Sequence, residues 1–272
     1  MNISLICACK NRNAPLKISL SSWLLFPQIS EIIIVDWSSD ESLEHLTEWD
    51  KRIKIISVPN QKYFNQPEPL NLAASLAKGK YILKVDTDYI LNPYLNFFEN
   101  SNYFVDENSF VCGQNTVDLG NNPYYKYLFG LLYVSKNNFM KVNGFNEYLT
   151  KWYASEDQDI MVRLENLGLK KHGINYDHHV IHIPHPDKKR TENFEANDSE
   201  NNLRNEIKSQ LSSSGFSGDE LEWQTDYCLS QYHVNVNHGW ISEMNNDYIF
   251  AQPMSKWNVT QINDQLYIAE KS

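Results

Sequence analysis

Short apolar runs recur along the N-terminal part of the chain, each closed by a polar cluster, with stretches of helical periodicity between them. Ile3-Ser4-Leu5-Ile6-Cys7-Ala8 predicts a first strand, and polar Lys10-Asn11-Arg12-Asn13 follows it. Over residues 15–26, Leu16, Leu20, Trp23 and Leu24 fall at helical spacing, and Pro27 stops that helix. Ile32-Ile33-Ile34-Val35 is β-branched on both faces, as a strand covered by helices on each side requires, and it runs into Asp36-Trp37-Ser38-Ser39-Asp40. Ile53 to Val58 predicts a third strand, followed by a loop with Pro59, Asn65, Pro67 and Pro69. Leu70, Ala73, Ala74 and Ala77 then share one helical face, with Gly79 as the helix stop. A fourth strand, Tyr81 to Val85, leads into Asp86-Thr87-Asp88.

Strands alternating with helices predict an α/β fold: a mostly parallel, Rossmann-like central sheet flanked by helices. Such sheets bind ligands at the carboxyl ends of their strands. Lys10 to Arg12, Asp36 and the Asp86/Asp88 pair all fall at that edge. Residues 101–150 are mixed and aromatic, with a turn at Gly144. Ser155 and Gln158 then form a capping box for a helix that continues through Ile160, Val162 and Leu164 and ends at Gly168. A strand containing Val180, Ile181 and Ile183 follows, embedded in histidines. After Arg190 the composition shifts to Asn, Ser, Glu and Asp, which sets a boundary. The first domain therefore spans 1–190, in two halves of about 1–100 and 101–190. Residues 191–272 form a C-terminal appendage, read either as an acceptor-binding lobe or as a homo-oligomer contact.

Charge narrows the partners. A formal net charge of −10 argues against nucleic acid, whose phosphates demand a basic surface, and against an anionic membrane surface. Lys188-Lys189-Arg190 is a local basic tract able to meet one diphosphate. No apolar run approaches the roughly 18 residues that a bilayer span needs. The N-terminus enters a strand directly, which predicts no cleaved leader. Cys7, Cys9, Cys112 and Cys228 form no C-x-x-C pair, and Cys7 and Cys9 point to one face of a strand, so they are read as reduced thiols in a cytoplasmic protein. Sixteen Tyr and seven Trp supply aromatic faces that suit the apolar C–H surfaces of sugar rings, although most such rings fill cores.

Asp86-Thr87-Asp88 is a weak motif alone: roughly one D-x-D arises by chance in a chain this long, and Asp157-Gln158-Asp159 is a second. Context strengthens the first, because a buried strand delivers it to the ligand-binding edge, where carboxylates can hold a hard divalent cation against phosphate oxygens. His178, His179, His182 and His185 cluster near a strand end and make up half of the chain's eight histidines. An extended H-x-x-H splits its two rings between opposite faces, which predicts one metal ligand, His182 ahead of His185. Glu156 and Asp157 open a helix, where the dipole favours acids regardless of function. That same position is expected to lower the pKa of a base and keep it ionised. Taken together, the two acidic stretches point to metal-dependent transfer of a sugar from a nucleotide donor.

Ser135-Lys136-Asn137-Asn138-Phe139-Met140-Lys141-Val142-Asn143-Gly144-Phe145-Asn146, followed by Glu156-Asp157-Gln158-Asp159, resembles the β-1,4-galactosyltransferase family, which carries S-K-x-x-F-x-x-N-G-F-x-N before W-G-x-E-D-D. Cys9-Lys10-Asn11-Arg12, Val35-Asp36, the Leu70-Asn71 helix and Asp86-Thr87-Asp88 resemble the wider inverting glycosyltransferases of the GT-A fold, including chondroitin-polymerase-type members of family two. The resemblance assigns the half over about 1–100 to the nucleotide-sugar and the half over about 101–190 to the acceptor. The resemblance implies that Arg12 and Asp36 contact the nucleotide, that Asp86 lies nearer the ribose and that Asp88 ligates Mn²⁺ or Mg²⁺. It implies that Asn143, Gly144 and Phe145 help form the donor-sugar pocket. Glu156 would hold sugar hydroxyls, Asp157 would be the general base, Trp152 and Tyr153 would face the acceptor, and His182 or His185 would complete the metal shell. The family's F-N-R is Phe64-Asn65-Gln66 here, and its W-G-W-G is Lys151-Trp152-Tyr153-Ala154-Ser155.

The resulting expectation is a metal-dependent inverting glycosyltransferase that takes a hexose or N-acetylhexosamine from a UDP-sugar to a glycan or glycoconjugate acceptor. Two other classes stay open. A non-catalytic carbohydrate-binding or scaffold protein could keep the same fold. A nucleotidyltransferase would want a Gly-rich basic loop after the first strand, and none follows Ala8. With one set of these elements, a second active site of a polymerase is not expected.

Overall fold

A computed structural model describes residues 2–103, 105–113, 128–147, 156–174, 178–185, 196–222, 224–225, 251 and 253–272. Strands β1 (Ile3–Cys9), β2 (Ile29–Asp36), β3 (Ile53–Ser57) and β4 (Tyr81–Lys84) run parallel in the order β3-β2-β1-β4. Helices α1 (Asn13–Trp23) and α2 (Pro67–Leu76) connect them. Because the four strands share a direction, Cys9, Asp36, Ser57 and Lys84 all end at one edge, as the alternating pattern implies.

Beyond β4 the sheet changes direction. β5 (Tyr89–Leu91) leaves it, and β6 (Ser109–Gly113) and β7 (Leu132–Ser135) continue it, with β7 antiparallel to both β4 and β6. Next come α3 (Lys136–Lys141) and α4 (Glu156–Asn166), then β8 (Lys170–Ile174) parallel to β6, and β9 (Val180–His182) antiparallel to β5. Gly168 ends α4 in the left-handed conformation, with Leu169 N–H donating to Leu164 O at 3.1 Å. Helix α5 (Ala196–Ser213) follows, and β10 (Trp257–Gln261) and β11 (Leu266–Lys271) form a terminal hairpin.

That hairpin corrects part of the expected appendage. β11 pairs in parallel with β3, completing a nine-stranded sheet of order β10-β11-β3-β2-β1-β4-β7-β6-β8. The physical reason is the open edge of β3, whose unpaired peptide groups need a partner. Gln265 adds to the seam by donating its amide to the carbonyls of Thr47, Asp50 and Ile53, each at 3.0 Å.

Two apolar layers sandwich the sheet. On one face Leu16, Leu20 and Trp23 of α1 pack on Leu5, Cys7, Ile32, Ile34 and Leu83. On the other, Leu70, Ala73 and Ala74 of α2, Phe139 of α3 and Ile160 and Leu164 of α4 pack on Ile6, Ile33, Val35 and Ile82. Cys7 and Cys9 lie in the first layer, and with Cys112 they are free thiols; Cys228 lies outside the described residues. Among the described residues no helix is long and apolar enough to cross a membrane.

Gly79 has a different task from the helix stop expected of it. α2 is already over at Ala77, whose ψ of 138° is extended. Gly79 instead lets the chain pass against β1: an added Cβ would lie 2.5 Å from the Ser4 nitrogen and 3.0 Å from the Asn2 carbonyl oxygen. Gly79→Ala is therefore expected to cost about 1–3 kcal/mol, because strand backbone must yield. A urea midpoint equal to that of the parent protein would show that β1 gives way freely.

Candidate active site

The carboxyl edge is held together by Lys10. Its Nζ donates to the carbonyls of Trp37 at 3.1 Å, Ser38 at 2.9 Å and Gln61 at 2.8 Å, tying the loops after β1, β2 and β3 to one point. Asp36 ends β2 and accepts from Ser39 N–H at 2.9 Å. Arg12, from the same edge, reaches across to Asp88 with Nη2 2.7 Å from Oδ2.

Asp88 is buried where β5 begins, and strand pairing brings the histidines to it. Tyr89 lies opposite His182 in the β5–β9 ladder, and Ile183 N–H donates to Asp88 O at 2.8 Å. His185 Nε2 is 3.1 Å and His182 Nε2 3.8 Å from Asp88 Oδ2. Expecting only one ring here was wrong in its geometry. β9 stops at His182, so the strict alternation of an extended strand does not carry on to His185, and the two rings lie 5.2 Å apart. Burial pushes the Asp88 carboxyl up, but His185, His182 and Arg12 outweigh it and hold the pKa below its ordinary value. Ligand atoms of Asp88, His182 and His185 all lie within 4.8 Å of one another. One carboxylate and two imidazoles are a donor set that fits a divalent first-row cation such as Mn²⁺. His179 belongs elsewhere, edge-on to Tyr103 at 5.5 Å.

The second focus is a residue that the sequence reading missed. Lys84 sits at the end of β4 between Ile6 and Leu132 in register, and its side chain is fully enclosed. Its Nζ lies 3.0 Å from Asp86 Oδ1 and 3.0 Å from Asp157 Oδ1. Asp86 thus meets Asp157 within two hydrogen-bond lengths, joining the strand end to the start of α4. Gln66 Nε2 donates to the same Asp86 oxygen at 3.1 Å, and a Cβ on Gly130 would come 2.0 Å from Asp86 Oδ2. A signal was present: one lysine in an otherwise apolar strand buried on both faces needs anionic partners.

Glu156 and Asp157 differ electrostatically from expectation. Burial raises the Glu156 carboxyl to about 8, helped by Asp157 and opposed by Lys84. Burial also lifts Asp157 to about 6, against the pull of Lys84. The helix N-terminus was expected to lower these values, but removal from water at the packed start of α4 outweighs a dipole effect limited to the first turn. Lys84 itself stays protonated: burial disfavours its charge, but Asp157, Asp86 and Glu156 more than offset that. Asp159, the last acid of the second D-x-D, pairs with buried Arg163 at 2.7 Å, and Arg163 also donates to Val142 O at 2.6 Å.

Asn143, Gly144 and Phe145 form a loop clamped from behind. Asn71 of α2 accepts from Phe145 N–H at 2.8 Å and donates to Phe145 O at 2.9 Å. Asn143 and Gly144 both have positive φ, 59° and 63°, and Asn143 Nδ2 donates to Ala251 O at 2.9 Å. Phe145 is fully buried against Phe139, with Lys84 Nζ 5.9 Å from its ring centre. Its ring is therefore enclosed beside Lys84. Trp152, Tyr153, Ser155 and Lys188-Lys189-Arg190 lie outside the described residues.

The model of glycosyl transferase family 2 matches residues 4–156. No curated protein matches the chain. A mutant of Drosophila β1,4-galactosyltransferase 7 in complex with manganese, UDP-Gal and xylobiose is similar over 99% of this chain and 93% of that one, at 14% identity and a TM-score of 0.55. S. aureus TarS in complex with UDP-GlcNAc is similar over 90% of this chain and 74% of that one, at 16% identity and a TM-score of 0.55. The same protein in complex with UDP is similar over 75% and 64%, at 15% identity and a TM-score of 0.51.

The raised Glu156 has a consequence for stability. The folded protein keeps a proton up to about pH 8 that the unfolded chain gives up near the ordinary value of 4.5, so stability falls as pH climbs through that window. Glu156→Gln cannot ionise and is expected to raise the melting temperature at pH 8 by several degrees, and much less at pH 5. Equal shifts at the two pH values would show that Glu156 titrates normally.

Proposed function

The chain belongs to glycosyl transferase family 2, and from that premise we propose that it moves a hexose or N-acetylhexosamine from a UDP-sugar to an acceptor hydroxyl, with inversion at the anomeric carbon. The observation that carries this reading is the link from Asp86 through Lys84 to Asp157, two residues from the Asp88–His182–His185 set. A cation-type donor set and a carboxylate pair thus share one sheet edge. The similar structures support the donor class, since they hold UDP-Gal, UDP-GlcNAc and UDP, and the xylobiose in one of them supports a glycan acceptor.

In this reading Arg12 and Asp36 bind the nucleotide and Asp86 approaches the ribose. Asp88, His182 and His185 hold Mn²⁺ or Mg²⁺. When bound, the cation would offset negative charge building on the leaving diphosphate. Asp157, at about 6, is ionised at neutral pH and accepts the acceptor hydroxyl proton as that oxygen attacks the anomeric carbon. The bond from sugar to diphosphate breaks on the opposite face, and its electron pair leaves with the nucleotide. Glu156, at about 8, keeps its proton at that pH and can donate to a sugar hydroxyl while accepting from another. Trp152 and Tyr153 offer aromatic faces to the acceptor.

Asp157→Asn is expected to lower acceptor-dependent kcat roughly 10²–10⁴-fold while UDP affinity, read by calorimetry, stays nearly unchanged. Turnover equal to the parent would remove Asp157 from the base role. EDTA is expected to stop transfer and Mn²⁺ to bring it back; full activity in chelator would refute the metal role of Asp88. A thermal-shift panel of UDP-, GDP- and TDP-sugars with and without Mn²⁺ identifies the donor.

A further inference from the structure

The reaction outlined above does not by itself require a lysine at position 84. An apolar side chain would suit its surroundings: Ile82 shares its face of β4, Phe145 lies beside it, and Ile6 and Leu132 flank it in register. A lysine there must shed its water, which is costly unless anions replace it. Here two carboxylates replace it, and they come from different halves of the chain, Asp86 after β4 and Asp157 from the first turn of α4.

We infer that Lys84 is a positioning residue for transfer, its ammonium holding Asp157 Oδ1 so that Oδ2 faces the acceptor hydroxyl, in register with the nucleotide side through Asp86. The role rests on the transfer reaction proposed above and deepens it. Lys84 touches neither sugar nor nucleotide; it acts through the carboxylate it grips. Its short, fixed reach matters because misplacing a catalytic group by about 1 Å can cost on the order of 10²-fold in rate.

The test compares the parent, Lys84→Met and Lys84→Arg by acceptor-dependent nucleotide release and by calorimetric titration of UDP with Mn²⁺. Lys84→Met is expected to lose roughly 10²-fold in kcat with UDP affinity within about threefold of the parent. Lys84→Arg, which keeps a cation but alters its reach, is expected to recover part of that loss and remain about tenfold below the parent. In an Asp157→Asn background, Lys84→Met should cost less than about twofold more, since the group it positions is already gone. Losses that multiply in the double variant, or equal losses of kcat and UDP affinity, would make Lys84 a structural residue and overturn the role. If Lys84→Met is recovered unfolded, Lys84→Arg decides: parent-like kcat overturns the role, and a fall in kcat with intact UDP binding supports it. A parent that binds UDP but releases no nucleotide with any acceptor overturns the transfer reading itself. A parent that transfers while Lys84→Met keeps its kcat overturns the Lys84 role alone.

Discussion

A single ammonium inside the sheet is what the acidic edge depends on. Lys84 Nζ is enclosed and bonded to Asp86 and Asp157, with Glu156 contributing to the same field. Glu156 and Asp157 are drawn out of water beside the half-buried Asp86, and the three like charges repel one another, so the buried pair is pushed toward protonation. One buried cation keeps two of them together and leaves Glu156 to take the strain, which explains why Glu156 rises further than Asp157. Taking one partner from a buried charge set costs about 3–5 kcal/mol, because the remaining charges stay dry and unpaired. The arrangement thus couples fold and chemistry: the group that makes the acids tolerable also fixes where they are.

Around that point the edge is assembled from backbone contacts more than from side chains. Lys10 draws three loop carbonyls together, so the ends of β1, β2 and β3 cannot splay. The small β5–β9 ladder does the same for the cation set, since pairing Tyr89 with His182 carries His182 and His185 to Asp88 from almost a hundred residues away in sequence. In both cases strand pairing sets position and polar side chains finish it, which is how a site of 3 Å contacts can be built from distant segments.

The parallel half of the fold was legible because its strands are short apolar runs that end in polar clusters and alternate with stretches of helical spacing, and β2 is β-branched on both faces. β7 was not, because its short apolar run Leu131 to Val134 lies in a mixed aromatic stretch with no polar cluster and helical spacing to frame it, although Leu132 and Val134 face one layer and Tyr133 the other. β8 was hidden as well, being mostly polar in Lys170, Lys171 and His172. Of the site, the acids and histidines were visible by type and clustering. Lys84 showed only as one lysine in an otherwise apolar run, and its enclosure becomes plain only once the strands on both sides of it are known. The direction of the Glu156 and Asp157 shifts was missed on the same ground: a helix start can be read from sequence, but its burial cannot.

The C-terminal stretch takes part in this organisation through the Asn143–Glu147 turn. Ala251 N–H donates to Val142 O at 3.2 Å, and Ser255 N–H donates to Glu147 Oε2 at 2.9 Å, while Asn71 grips Phe145 from α2. The turn is therefore held from two sides, by helix α2 and by the chain's last quarter. Phe145 in turn backs Lys84, and Arg163 of α4 binds Val142 at the start of the same turn. Ala251 and Ser255 thus hold the Asn143–Glu147 turn from the C-terminal side, a task that no motif around them announces.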